Sequence, residues 1–135
     1  TNYKEKISSI PMEEAVVTID GLNSIAALVF HINYYLEGLL RAFKNGRLDI
    51  SDKFSFLLPP IDSESDWNNL VAGFLENAEK FIEAIAQFDD EIFDRPFIEE
   101  KYGTYLRNIE AVIEHGYYHL GQVTLLAKLI RGGNR

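Results

Sequence analysis

Three long stretches of this chain repeat their apolar residues at steps of three and four, the spacing of one face of an α-helix. The first predicts a helix from about Leu22 to Asn45, with Asp20 or Asn23 as its cap and Gly46 as its end. Its apolar stripe comprises Ile25, Leu28, Val29, Ile32, Leu36, Leu39, Leu40 and Phe43. A chain dominated by such stretches is expected to fold as an all-α bundle.

The other two stretches predict helices of similar length. One runs from about Glu64 to Phe88, directly after Ser63, whose hydroxyl is a suitable helix cap. The other runs from about Thr104 to Arg131, where Gly132 and Gly133 are expected to end it. Its buried face carries polar side chains as well as apolar ones, which indicates a pocket because buried polar groups need partners.

Shorter segments precede and connect these helices. Residues 2–10 predict a short helix that Pro11 ends, and residues 15–19 look locally extended. The loop at residues 46–62 is long for a compact domain, and its apolar side chains are expected to anchor it on the core or over a pocket. These side chains are Phe54, Phe56, Leu57 and Leu58. With 135 residues, the chain 1–135 is expected to form a single domain.

The composition excludes several classes of function. A formal charge of −8 argues against nucleic acid and anionic membrane surfaces as partners, because both bind basic patches. The chain contains no cysteine, so a metal site must use histidine, carboxylate or backbone oxygen. No apolar run reaches the roughly 18 residues that cross a bilayer and no signal peptide is evident, so a cytoplasmic location is expected.

The three histidines of the chain fit a metal site. His115 and His119 are four residues apart in the last long helix, so their imidazoles lie on one face, and His31 borders the apolar stripe of the first. Three imidazoles suit zinc or nickel and leave a fourth position open for water or substrate. The alternative is that they are hydrogen-bonded, inert histidines. The sequence lacks the His-Glu-x-x-His, Glu-x-x-His, P-loop and nucleophile-elbow patterns of other site classes.

These segments resemble the DinB-like family, also called the DinB/YfiT-like metalloenzymes. The resemblance rests on Ser24 to His31 (SIAALVFH) and on His115 to Gln122 (HGYYHLGQ), and it covers most of the chain from about Val17 onward. It implies a four-helix bundle with up-down-down-up topology. It also implies a divalent metal, often nickel or zinc, held by His31, His115 and His119. Relatives include thiol-dependent S-transferases and a maleylpyruvate isomerase.

The N-terminal segment departs from the family pattern. Family members begin with a long helix, whereas only residues 2–10 precede Pro11 here, so the first helix is expected to be short or truncated. A missing helix would expose part of the apolar seam and favour a homodimer.

The sequence therefore predicts a metal-dependent enzyme of the thiol S-transferase or hydrolase type, which acts on a small-molecule substrate with a low-molecular-weight thiol as a candidate cosubstrate. No catalytic residue is assigned beyond the three metal ligands. Tyr34, Tyr35, Tyr118 and Gln122 are candidates for contacts to the ligands or to substrate, with plain packing as the alternative for each tyrosine. The alternative function is a stress-related helical bundle that binds small molecules or partners without catalysis.

Overall fold

The computed structural model describes residues 3–132, and almost all of their regular structure is helical. Five α-helices follow in the order α1 (Tyr3–Ser8), α2 (Met12–Ala15), α3 (Ile25–Asn45), α4 (Glu64–Ala86) and α5 (Tyr105–Gly132). Three short 3₁₀ turns lie in the connections, at Asp52–Phe54, Asp90–Asp94 and Glu100–Tyr102. Within the described part, an isolated β-bridge joins Pro96 to Thr104. The prediction of an all-α fold is confirmed.

The ends of the long helices follow local side-chain chemistry. The predicted caps of the first long helix are wrong, because the Ser24 hydroxyl accepts the hydrogen bond of the Ala27 amide and α3 begins at Ile25. Gly46 ends α3 as predicted, in the left-handed conformation that glycine adopts without strain. Ser63 caps α4 as predicted, through a 3.1 Å hydrogen bond from the Asp66 amide. Gly133 lies outside the described residues.

Helix α3 is the centre of the bundle and packs against both α4 and α5. Its apolar stripe is buried as predicted, and the largest fully buried side chains around it include Trp67 of α4 and Val123 of α5. The indole of Trp67 donates a 2.8 Å hydrogen bond to the carbonyl of Ile10, which ties the N-terminal segment to α4. This arrangement places one face of α5 directly against α3.

The N-terminal segment provides a short version of the first bundle helix. Helix α1 has six residues, and the ring of its Tyr3 packs edge-on against Phe74 of α4 while its hydroxyl donates to the carbonyl of Gly116 in α5. Met12–Ala15 forms a further helical turn that Pro11 precedes, so Ala15 is helical rather than extended. The prediction of a short first helix is confirmed.

Beside α1, an apolar groove of about 630 Å³ lies between α4 and α5. Ile82 and Tyr117 in its walls are 67% and 69% exposed, so the groove presents apolar surface to solvent. A homodimer through this seam stays a prediction. In the described range 3–132, no helix combines the length and the hydropathy that crossing a membrane requires.

Candidate metal centre

The packing of α3 against α5 brings the three histidines of the chain together. The Nε2 atom of His31 lies 3.1 Å from Nε2 of His115, which lies 2.9 Å from Nε2 of His119. One ring nitrogen from each side chain falls within 4.8 Å of the other two, so the three could hold one metal ion. The pair from α5 faces α3 because residues four apart share a helix face.

Burial favours the neutral, metal-binding form of two of these imidazoles, those of His31 and His115. His31 and His119 are only 7% and 6% exposed, and His115 is half-buried. The pKa of His31 is lowered to about 4, mainly by burial and in addition by the charges of His115 and His119. Burial, followed by the charge of His119, also lowers the pKa of His115. His31 and His115 are therefore neutral at pH 7, with a lone pair available for a metal.

A glutamine side chain fixes the tautomer of His119. The Oε1 atom of Gln122, one helical turn later, contacts Nδ1 of His119. Because an amide oxygen only accepts hydrogen bonds, the proton of the imidazole resides on Nδ1 and Nε2 presents its lone pair to the site. Tyr118 packs its ring edge-on against His119 and its hydroxyl lies 3.5 Å from Nε2 of Gln122. Partners of this kind orient metal-binding histidines.

The geometry could accommodate one divalent transition metal ion. Two ligands about 2.05 Å from a tetrahedral ion lie about 3.3 Å apart, close to the two measured Nε2 separations. The Nδ1 atom of His31 is buried without a hydrogen bond of ordinary geometry. Nε2, rather than this atom, faces the other two histidines and would bind the ion.

Comparison with known proteins decides the family. A family model described as the DinB superfamily matches residues 2–123. The chain belongs to the DinB superfamily. No curated protein and no solved structure matches it. The matched range includes all three histidines, so the DinB-like resemblance of the sequence is confirmed, while the roles of the individual site residues stay predictions.

In this DinB-superfamily protein, residues 46–63 form the α3–α4 connection, which lies against the metal centre. The ring of Phe56 stacks on the ring of His31 with centroids 4.0 Å apart and planes 5° apart. Ser55 is 1% exposed, and its backbone raises the pKa of His31 as a hydrogen-bond partner, against the larger effect of burial. One of the apolar residues expected over a pocket, Phe56, is therefore at the site.

The two tyrosines that follow His31 hold this connection in place. The hydroxyl of Tyr34 accepts a 2.7 Å hydrogen bond from the Ser51 amide, and the hydroxyl of Tyr35 donates to a carboxylate oxygen of Asp52. The ring of Tyr35 also packs edge-on against both His31 and His115. All four tyrosine and glutamine candidates thus lie at or beside the site. The sequence analysis missed Asp52 and Ser55, which lie in a segment without periodicity.

Proposed function

We propose that this DinB-superfamily protein is a metal-dependent enzyme in which His31, His115 and His119 hold one divalent transition metal, zinc or nickel. The observation that carries the proposal is the convergence of three Nε2 atoms from two rigid helices, with Nε2 separations of 2.9 and 3.1 Å. Three protein ligands leave one coordination position for substrate or water, the arrangement of catalytic rather than structural zinc sites.

The reaction class follows from what such a site supplies. A bound metal ion acidifies a coordinated water or binds a thiolate or oxyanion directly. The protein contributes neutral imidazoles, the Gln122 contact that orients His119, and aromatic rings that limit access of water to His31. This supports a thiol transferase or a hydrolase acting on a small molecule. The formal charge of −8 supports a small-molecule substrate rather than a nucleic acid.

Metal content is the first test. The chain has three histidines and no cysteine, so tag-free protein has few other ways to bind zinc or nickel tightly. We expect one equivalent of metal after purification or reconstitution, and a higher melting temperature with metal than without. Absence of stoichiometric metal, together with no thermal shift on adding either ion, would sink the metalloenzyme proposal.

A pair of variants separates the site from adventitious binding. His31→Ala should abolish metal binding while the helical circular dichroism persists, because α3 keeps its apolar stripe. Glu114→Gln is the matched control, since Glu114 is exposed and precedes His115 on the same helix. It should bind metal as the wild type does. Unfolding of the protein on metal removal would instead indicate a structural ion.

The second candidate is a bundle that binds small molecules without catalysis. The apolar groove between α4 and α5 favours it, because its volume of about 630 Å³ is in the range of ligand pockets. Metal analysis distinguishes the two candidates, since the groove is lined by apolar residues such as Phe74 and Val112 and requires no ion.

A further inference from the structure

The carboxylate of Asp52 occupies a defined position although the side chain is exposed. Tyr35 donates a hydrogen bond to its Oδ1 atom, and the buried Ser55 hydroxyl donates a 2.8 Å hydrogen bond to its backbone carbonyl. The preceding amide, that of Ser51, is bound to Tyr34. These three contacts hold the carboxylate on the surface of α3, one helical turn from His31.

Asp52 lies close to the three histidines without joining their cluster. The ring that binds Asp52, that of Tyr35, has its centroid 5.2 Å from the His31 ring and 5.4 Å from the His115 ring. Among the described residues, the set of side chains able to share one ion contains the three histidines and not Asp52.

No cation balances this carboxylate in the described range 3–132, where none of the ion pairs involves Asp52. The adjacent Lys53 places its ammonium over the ring of Phe54, 4.9 Å from the centroid. Two exposed aromatic rings also border the histidines: Phe56 against His31 and Tyr118 against His119, which are 41% and 64% exposed. A ligand that approaches the centre therefore meets one negative charge and two aromatic rings.

We propose that Asp52 makes the open metal position select against ligands that carry a negative charge besides the coordinating atom, so that the rest of the substrate is neutral or cationic, with an apolar portion. This rests on the proposed function, since it concerns the ligand of the same ion. It narrows the candidate thiol cosubstrates to those without a carboxylate near the sulfur. Asp52 acts through its charge and is a specificity residue rather than a metal ligand.

Three thiols of equal length test this selectivity. Cysteamine, 2-mercaptoethanol and 3-mercaptopropionate place an ammonium, a hydroxyl and a carboxylate at the same distance from sulfur. Each is titrated into the cobalt-substituted protein at low ionic strength, and binding is followed by the sulfur-to-cobalt charge-transfer band. Each thiol is compared between the wild type and Asp52→Asn. The acidity of the thiol and the charge of its sulfur affect both affinities equally, so they cancel in the ratio.

The expected effect follows from Coulomb's law. Two unit charges roughly 8 Å apart at an effective dielectric of roughly 60 change a binding constant about threefold. Relative to 2-mercaptoethanol, Asp52→Asn should weaken cysteamine and strengthen 3-mercaptopropionate by this factor, so their affinity ratio changes about tenfold. Asp52→Glu should retain most of the wild-type ratio. High salt should reduce the difference, because both groups are accessible to solvent.

Asp49→Asn is the matched control, because it removes one exposed charge from the same α3–α4 connection without a contact to Tyr35. It should leave the ratio unchanged. An equal change in Asp49→Asn would assign the effect to net charge and overturn the role of Asp52, as would an unchanged ratio in Asp52→Asn. Failure of the wild type to bind cobalt refutes the metal centre itself, whereas cobalt binding without selectivity refutes only this inference.

Discussion

Gly38 is the point where α3 touches the α3–α4 connection, and it gives the sharpest stability prediction. A Cβ atom at this position would lie 2.1 Å from Cγ2 of Ile50, whereas carbon atoms in contact are normally about 3.5–4.0 Å apart. Gly38→Ala therefore requires a displacement of about 1.5 Å in the connection or in the Ile50 side chain. The next nearest atoms, Cβ of Ile50 at 3.6 Å and the Arg41 guanidinium at 3.9 Å, are at ordinary distances.

Two opposing effects set the magnitude. Alanine is favoured over glycine inside a helix by about 1 kcal/mol, while overpacking a filled site costs about 1–3 kcal/mol. Gly38→Ala should therefore lower the free energy of unfolding of the wild type by up to about 2 kcal/mol. In an Ile50→Ala background the obstructing Cγ2 atom is gone. There Gly38→Ala should raise the free energy of unfolding by up to about 1 kcal/mol.

Urea denaturation of the wild type, both single variants and the double variant measures this reversal of sign. The coupling between the two positions should be about 1–3 kcal/mol, as for residues in direct contact. Equal slopes in urea are required for the comparison, since a changed slope reports altered compactness. If Gly38→Ala stabilises the wild type as it does the Ile50→Ala protein, the connection does not rest on α3 at this point.

Three further predictions concern the histidines and a helix cap. In metal-free protein, the free energy of unfolding should fall by up to about 1.4 kcal/mol per pH unit as the pH drops from 6.5 towards 4. In this range His31 binds a proton in the unfolded chain but not in the folded protein. His31→Asn should flatten most of that profile, and an unchanged slope would contradict the assigned pKa. Gln122→Met should weaken metal binding about 10–100-fold in calorimetric titration. The control Tyr118→Phe keeps the contact between Gln122 and His119 and should leave metal binding unchanged. Ser24→Ala should cost about 1 kcal/mol in urea denaturation by removing the α3 cap, and no loss would argue that the Ala27 amide finds another partner.

The sequence was sufficient to predict the helices and the three histidines that come together. Apolar residues at helical spacing are a local signal, so α3, α4 and α5 appear within a few residues of their predicted bounds. The meeting of His31 with His115 and His119 required one further step, that two apolar faces pack together. The sequence allows this packing to be predicted, because His31 borders the same apolar stripe that packs against α5.

The sequence was insufficient where position depends on contacts between distant segments. The Tyr35 hydroxyl positions the Asp52 carboxylate, and no periodic pattern in residues 46–63 marks which carboxylate lies near the histidines. The cap of α3 was misplaced for a related reason. Asp20, Asn23 and Ser24 are all suitable caps, and the choice among them depends on where the preceding chain leaves the core.

Helix α3 carries both the first histidine of the candidate metal centre and the supports of the α3–α4 connection. His31, Tyr34, Tyr35, Gly38 and Arg41 follow at helical steps, and the last four contact residues 49–52. The connection itself supplies none of the three Nε2 atoms. The α3–α4 connection and the histidine-bearing helices can therefore diverge independently. Exchange of residues 50–58 would alter the surroundings of an ion bound at the candidate centre, while α3 and α5 would keep the three histidines in place. A bundle divided in this way can acquire new substrates by replacing one surface segment, in evolution and in laboratory redesign alike.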